Sequence, residues 1–212
     1  MKCQPVVLFD CDGVMCPPMR FAAVLHQEHG ITKEMTKDFF TGVFSEALRG
    51  DALVRDLLPS YLKLWGWTSD VDVFLKLWVE SEREADISML SLVQEYRDKG
   101  FKVCLATNQE SHRARYMRTC MGFEDVFDEL FISCELQAMK PDRAFYERIT
   151  NALDASPEQI IFIDDQEHYV SAARDFGWNS IVFSDSSQCK TELAHLIDRY
   201  NIEVSRQKGL EP

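Results

Sequence analysis

Short, unbroken apolar runs alternate along the chain with longer stretches in which apolar positions recur every three or four residues. Four of the runs have the make-up of strands buried on both faces, being rich in Val, Ile, Leu and Phe with no polar alternation. They are PVVLFD ending at Asp10, FKVCLATN ending at Asn108, IIFIDD ending at Asp165 and SIVFSD ending at Asp185. A weaker fifth candidate is ELFIS, over residues 129–133. Helical spacing fills the gaps. MLSLVQEYRDKG runs to Gly100, SHRARYMRTCMG to Gly122 and EHYVSAARDFG to Gly177, each stopping at a glycine suited to a helix C-terminus. SPEQ at 156–159 predicts a short capped turn. Strand and helix in this rhythm predict a mostly parallel, Rossmann-like α/β sheet with helices on both faces.

One segment breaks the rhythm. From Cys16 to Asp86 no stretch reads as a strand, and FAAVLHQEHG, TKDFFTGVFSEALRG, ALVRDLLPSYLKLWGW and SDVDVFLKLWVESERE predict four amphipathic helices. The expected organisation is an α/β core made of residues 1–15 and 87–212, with a small all-helical cap, residues 16–86, seated over the carboxyl ends of the strands. The terminal SRQKGLEP is polar and expected to fray.

Open α/β sheets bind ligands outside the carboxyl ends of their strands. The polar residues there are Asp10 and Asp12, Thr107 and Asn108, and Asp164 and Asp165, with Lys140 following the weaker strand. Each has a bland reading: Asp-Gly is a common turn, Thr-Asn a common helix start, and a lysine before proline is ordinarily solvated. Together they supply a complete chemistry. Paired carboxylates hold a hard divalent cation through oxygen. A hydroxyl, backbone amides and an ammonium bind phosphate oxygens, which leaves one aspartate free to attack.

Composition narrows the field. With 35 Asp and Glu against 23 Lys and Arg, the net charge of −12 repels a phosphate backbone, so no nucleic-acid partner is expected. No apolar run reaches the ~18 residues of a membrane span, and the short stretch before Asp10 does not resemble a signal peptide. The seven cysteines are odd in number and form no Cys-x-x-Cys pair, which indicates neither a zinc ribbon nor a disulfide framework. Free thiols in this number fit a reducing compartment, so a cytoplasmic location is expected.

The motifs VVLFDCDG, CLATN, MKPD followed by RAFYERI, and IIFIDD leading into SAARDFGW occur in order, each at a predicted strand end or helix start. In this the chain resembles the haloacid dehalogenase superfamily, and in particular its phosphatases with a small cap between the first and second motifs. The resemblance implies Mg²⁺ as cofactor and a small phosphorylated metabolite as substrate. It places the nucleophile at Asp10, which forms an aspartyl-phosphate, and the general acid and base at Asp12. Thr107, Asn108 and Lys140 are then the phosphate-binding residues. Asp10, the Asp12 carbonyl, Asp164 and Asp165 are the metal ligands, with the direct ligand of the last pair left open. Asp12 favours phosphoryl transfer over carbon–halogen cleavage, since a halide leaving group needs no proton.

Two departures stand out. Tyr169 occupies a position where relatives carry asparagine or aspartate, and Lys-Pro-Asp-Arg replaces the more usual Lys-Pro-Asp-Pro. In the cap, Phe39, Phe40, Phe44, Trp65, Trp67 and Trp78 read as packing, while Arg20, His26 and Arg49 are possible polar contacts. The expected activity is a phosphatase, a sugar phosphate being one candidate substrate. The alternatives are a phosphomutase of the same superfamily and a non-catalytic phosphate-binding or regulatory protein.

Overall fold

The computed structural model describes residues 4–18 and 20–207. The apolar runs form one parallel sheet of β1 (Val6–Phe9), β2 (Lys102–Thr107), β3 (Glu129–Ile132), β4 (Ile160–Asp164) and β5 (Asn179–Val182), in the spatial order β3-β2-β1-β4-β5. ELFIS is therefore a true strand at one edge. Glu129 and Leu130 are only half-buried there, which is why its pattern reads weakly. Phe9 lies level with Leu105 on one side and Ile163 on the other, so the chain leaves β1, β2 and β4 at nearly the same height. The order reverses at β1, where a crevice opens between diverging connections.

Between β1 and β2 the chain forms α1 (Phe21–His29), α2 (Lys33–Asp38), α3 (Phe44–Leu48), α4 (Val54–Leu64) and α5 (Val71–Ser81). The second predicted helix is in two pieces, because a wide π turn over Phe39–Val43 bends at Gly42, whose φ of −118° and ψ of −108° are not helical. The Thr32 hydroxyl caps α2 by accepting from the Met35 amide, and Asp70 caps α5 by accepting from Asp72. These helices share a core of their own around Phe39, Leu58, Trp65, Phe74 and Trp78. The aromatic residues are indeed mostly packing: Phe39 meets the rings of Phe40, Phe44, Tyr61 and Trp65. The segment leaves and rejoins the sheet at adjacent points, where the Asp86 amide donates to the Met15 carbonyl at 2.8 Å.

The sheet residues alternate between two cores with period two. Val7, Phe9, Val103, Leu105, Ile161 and Ile163 face one way, towards α6 (Ile87–Asp98) and α7 (Ser111–Thr119), with the short α8 (Phe123–Val126) below. Leu8, Cys104, Ala106, Ile160 and Phe162 face the other, towards α10 (Arg143–Leu153) and α11 (Glu167–Phe176), past the single turn α9 (Ser133–Leu136). The final helix α12 (Ser186–Gln207), over which the sequence pattern drew no element, closes the first face through Cys189, Leu193 and Ile197. That stripe, one residue per turn on an otherwise polar helix, is too narrow to stand out in sequence. The helix takes in residues 205–207 of the segment expected to fray, and 208–212 lie outside the described residues.

Candidate active site

Asp10 directly follows β1 and is buried, its amide donating to the Ile163 carbonyl at 2.9 Å. The chain then turns back: the Cys11 carbonyl accepts from the amides of Met15 and Cys16, both at 2.8 Å. Gly13 makes this turn with φ of +89°, and a Cβ there would lie 2.5 Å from Asp165 Cγ. Glycine is thus required twice, by conformation and by the approach of the second acidic pair.

Lys140 sits at the centre of the arrangement, almost wholly buried. Its Nζ donates to Asp164 Oδ2 at 2.6 Å and to the Ala106 carbonyl at 3.3 Å, and lies 2.9 Å from Asp10 Oδ1. The rings of Tyr169 and Phe162 are 5.1 and 5.3 Å away, close enough for a cation–π contribution. Tyr169, the departure noted in sequence, therefore forms part of the lysine's wall. Asn108 grips the lysine's backbone from both sides: its Oδ1 accepts from the Lys140 amide at 2.9 Å and its Nδ2 donates to the Lys140 carbonyl at 3.0 Å. Burial alone would lower the Lys140 pKa, but the Asp10 and Asp164 carboxylates outweigh it and hold the pKa above the usual lysine value. Burial likewise pushes Asp164 up to about 6, against the pull of Lys140.

Carboxylate oxygens of Asp10, Asp164 and Asp165 lie within 4.8 Å of one another. Three carboxylates around one ammonium leave an excess negative charge, and among the described residues the Lys140 ammonium 2.9 Å away is all that balances the buried Asp10 Oδ1. Both features suit a hard divalent cation. Asp164 already has both oxygens engaged, by Lys140 and by the Gln166 amide at 2.8 Å. Asp10 and Asp165 are the freer donors. Thr107, also buried, ends β2 beside this group.

Asp12 stands apart, half-buried, and its carboxylate is not in the acidic cluster. Its Oδ2 accepts from Gln109 Nε2 at 2.5 Å, and its Oδ1 lies 3.6 Å from the Arg113 guanidinium. Burial raises the Asp12 pKa, which Arg113 opposes. Arg113, on the inner face of α7, is itself buried and donates to the carbonyls of Val79 at 3.4 Å and Glu82 at 2.7 Å. It thereby ties Asp12 to the end of α5. The Glu82 carboxyl accepts from Trp78 Nε1 at 3.2 Å, and burial pushes its pKa up to about 7.

The structure gathers Asp10, Lys140, Asp164 and Asp165 into one cluster, with Asn108 clasping Lys140 and Thr107 ending the adjacent strand, while Asp12 is held apart on Gln109 and Arg113. The sequence reading had not singled out Gln109, Arg113 or Glu82. Gln109 adjoins the CLATN motif and was findable by position. Arg113 and Glu82 carried no signal, since charged residues on amphipathic helices ordinarily face solvent. Of the possible polar contacts on the helical segment, Arg49 pairs with Asp142 at 2.9 Å and Arg20 with Glu84.

The chain belongs to the haloacid dehalogenase-like hydrolase family, whose model matches residues 5–177. It is 23% identical over 212 residues to Bifunctional epoxide hydrolase 2 of Rattus norvegicus, a match covering 89% of this chain but only 38% of that protein. It is 32% identical over 112 residues to the sesquiterpene phosphatase astK of Aspergillus oryzae, covering 53% of this chain and 57% of that one. Among solved structures, a haloacid dehalogenase family enzyme from Bacteroides thetaiotaomicron, complexed with magnesium and inorganic phosphate, superposes with a TM-score of 0.73 at 18% identity, over 85% of this chain and 94% of its own. Among the described residues, no helix is long and apolar enough to cross a membrane.

Proposed function

We propose that the chain is a Mg²⁺-dependent phosphatase that cleaves a small phosphate monoester through an aspartyl-phosphate on Asp10, with residues 16–86 acting as its cap. The observation that carries this reading is the division of labour between the two aspartates. Asp10 is clamped beside the buried Lys140 at the switch point of the sheet, while Asp12 is held apart by Gln109 and Arg113. In the first step an Asp10 oxygen attacks phosphorus, the bond from phosphorus to the ester oxygen breaks, and Asp12 gives its proton to that oxygen. In the second, Asp12 takes a proton from the attacking water and the phosphorus–Asp10 bond breaks, releasing inorganic phosphate. The raised Asp12 pKa suits a group that must hold a proton in one step and accept one in the next. Lys140 neutralises charge on Asp10 and on the transferring group, and Thr107 and the Asn108 amide bind phosphate oxygens. Mg²⁺ held by Asp10, Asp165 and the Asp12 carbonyl, with Asp164 in support, would screen repulsion between the two anions. The magnesium and phosphate of the Bacteroides thetaiotaomicron enzyme and the phosphatase name of the Aspergillus oryzae relative support this reading.

The substrate's organic part is a separate question. A cavity of about 300 Å³ in the helical segment has one apolar wall, with Phe21, Leu25 and Trp78, and one polar wall, with Thr32, Lys33, Glu34, Thr36 and Lys37, and none of the residues assigned to the reaction lines it. It therefore does not choose between the sugar phosphate taken as a candidate from sequence and a more apolar ester, and the panel must hold both. The test is phosphate release from a panel of sugar, alkyl and isoprenoid monophosphates with Mg²⁺. Release abolished by Asp10→Asn supports the hydrolase. Isomerisation without release would identify a mutase, and silence across the panel by folded, Mg²⁺-supplied protein would leave a binding role.

A further inference from the structure

The loop that carries Asp12 also carries two buried thiols that the reaction does not use. Cys11 Sγ and Cys16 Sγ lie 3.8 Å apart, and an Asp12 carboxylate oxygen lies within 4.8 Å of both. In sequence the pair is separated by four residues and is invisible as a metal motif. The turn at Gly13 closes it, with the Cys16 amide hydrogen-bonded to the Cys11 carbonyl. Two sulfurs bound tetrahedrally at about 2.3 Å from zinc are roughly 3.8 Å apart, the spacing found here. The corresponding sulfur-to-oxygen edge is about 3.6 Å, which Asp12 reaches by turning one oxygen away from its Gln109 or Arg113 partner. The charges balance as well. Two thiolates and one carboxylate carry three negative charges, which Zn²⁺ and the neighbouring Arg113 guanidinium cancel. The thiols are buried, but Asp12 is partly exposed and offers the way in.

We propose that Cys11, Asp12 and Cys16 form a thiophilic site for Zn²⁺, distinct from the acidic cluster of Asp10, Asp164 and Asp165, and that zinc bound there disables the enzyme by taking up Asp12. Binding displaces the two thiol protons to solvent, and the fourth position is left to water. Hard Mg²⁺ prefers oxygen donors and does not compete for the sulfurs. The binding part stands on the geometry of the loop, and only the inhibitory part rests on the phosphatase reading.

The test uses Mg²⁺-saturated protein kept reduced with a phosphine. One equivalent of Zn²⁺ is expected to bind in competition with a chromophoric chelator. Cd²⁺ in its place is expected to give the ultraviolet charge-transfer band of two thiolates. Cys16→Ser should halve that band and weaken zinc binding by about tenfold or more, whereas a change at the exposed Cys120, Cys120→Ser, should alter neither. Cys11→Ser serves as the second variant if circular dichroism shows Cys16→Ser misfolded. Absence of the band, or a band that persists in both loop variants, would overturn the site. Phosphate release should fall with added Zn²⁺ in the wild type and resist it in Cys16→Ser; equal sensitivity in both would overturn the inhibitory role. If no phosphate ester is turned over, the band and stoichiometry still decide the site, and the phosphatase reading fails on its own.

Discussion

Lys140 shows how much one buried charge can organise. An ammonium sealed from water is costly unless carboxylates and carbonyls surround it, and Asp10, Asp164 and the Ala106 carbonyl do so here. The dependence is mutual, since those two carboxylates are themselves buried and close together. Lys140→Met is therefore expected to cost about 3–5 kcal/mol of stability in metal-free protein, by leaving buried carboxylates uncompensated. Urea denaturation measures the loss, and added Mg²⁺ should recover part of it by restoring positive charge among the same carboxylates. A variant as stable as the wild type would show that the acidic cluster needs no internal cation.

Helix α5 carries its own consequence at its end. Glu82 is buried there beside Trp78, with one carboxylate oxygen unpaired. Its pKa of about 7 when folded stands above the ordinary 4.5, so between these values the folded state binds the extra proton. Stability from this group is full below about pH 4.5 and is lost as pH rises through about 7, amounting to about 3 kcal/mol. Glu82→Gln removes the titrating proton, so the variant should gain on the wild type as pH rises across that window and hold a constant lead above it. Denaturation midpoints at pH 5 and pH 8 check this. A lead unchanged between the two would mean that Glu82 is not titrating there.

At the scale of the whole molecule, the helical segment meets the core at a few close contacts. Gly50 follows α3 with φ of +76°, and a Cβ there would fall 2.2 Å from the Cys134 carbonyl oxygen in α9. Backbone cannot yield as a flexible side chain does, so Gly50→Ala must shift one body against the other or strain the turn. The expected cost is about 1–3 kcal/mol by urea denaturation. Turnover is expected to fall as well, since Arg49, next to it, pairs with Asp142 just beyond Lys140. Unchanged stability would show that the seat of the helical segment is loose.

The strands, the crossover rhythm and the placement of Asp10, Thr107 and Asp164 at strand ends were legible in the sequence, because buried parallel strands write continuous apolar runs that stop where the chain leaves the sheet, and Lys140 was legible from the motif in the loop before α10. The helical segment was legible for the same reason of periodicity, though the bend at Gly42 was not, since one glycine in a helical pattern does not announce a π turn. Helix α12 escaped notice because it buries only a narrow stripe. What tertiary structure alone decided is how distant residues meet. Sequence spacing carries no record that Asn108 clasps the backbone of Lys140, that Arg113 spans from Asp12 to the end of α5, or that Cys11 and Cys16 close to 3.8 Å. Burial and proximity create these contacts and shift the ionisation of the groups within them, and both arise only once the sheet has ordered its strands.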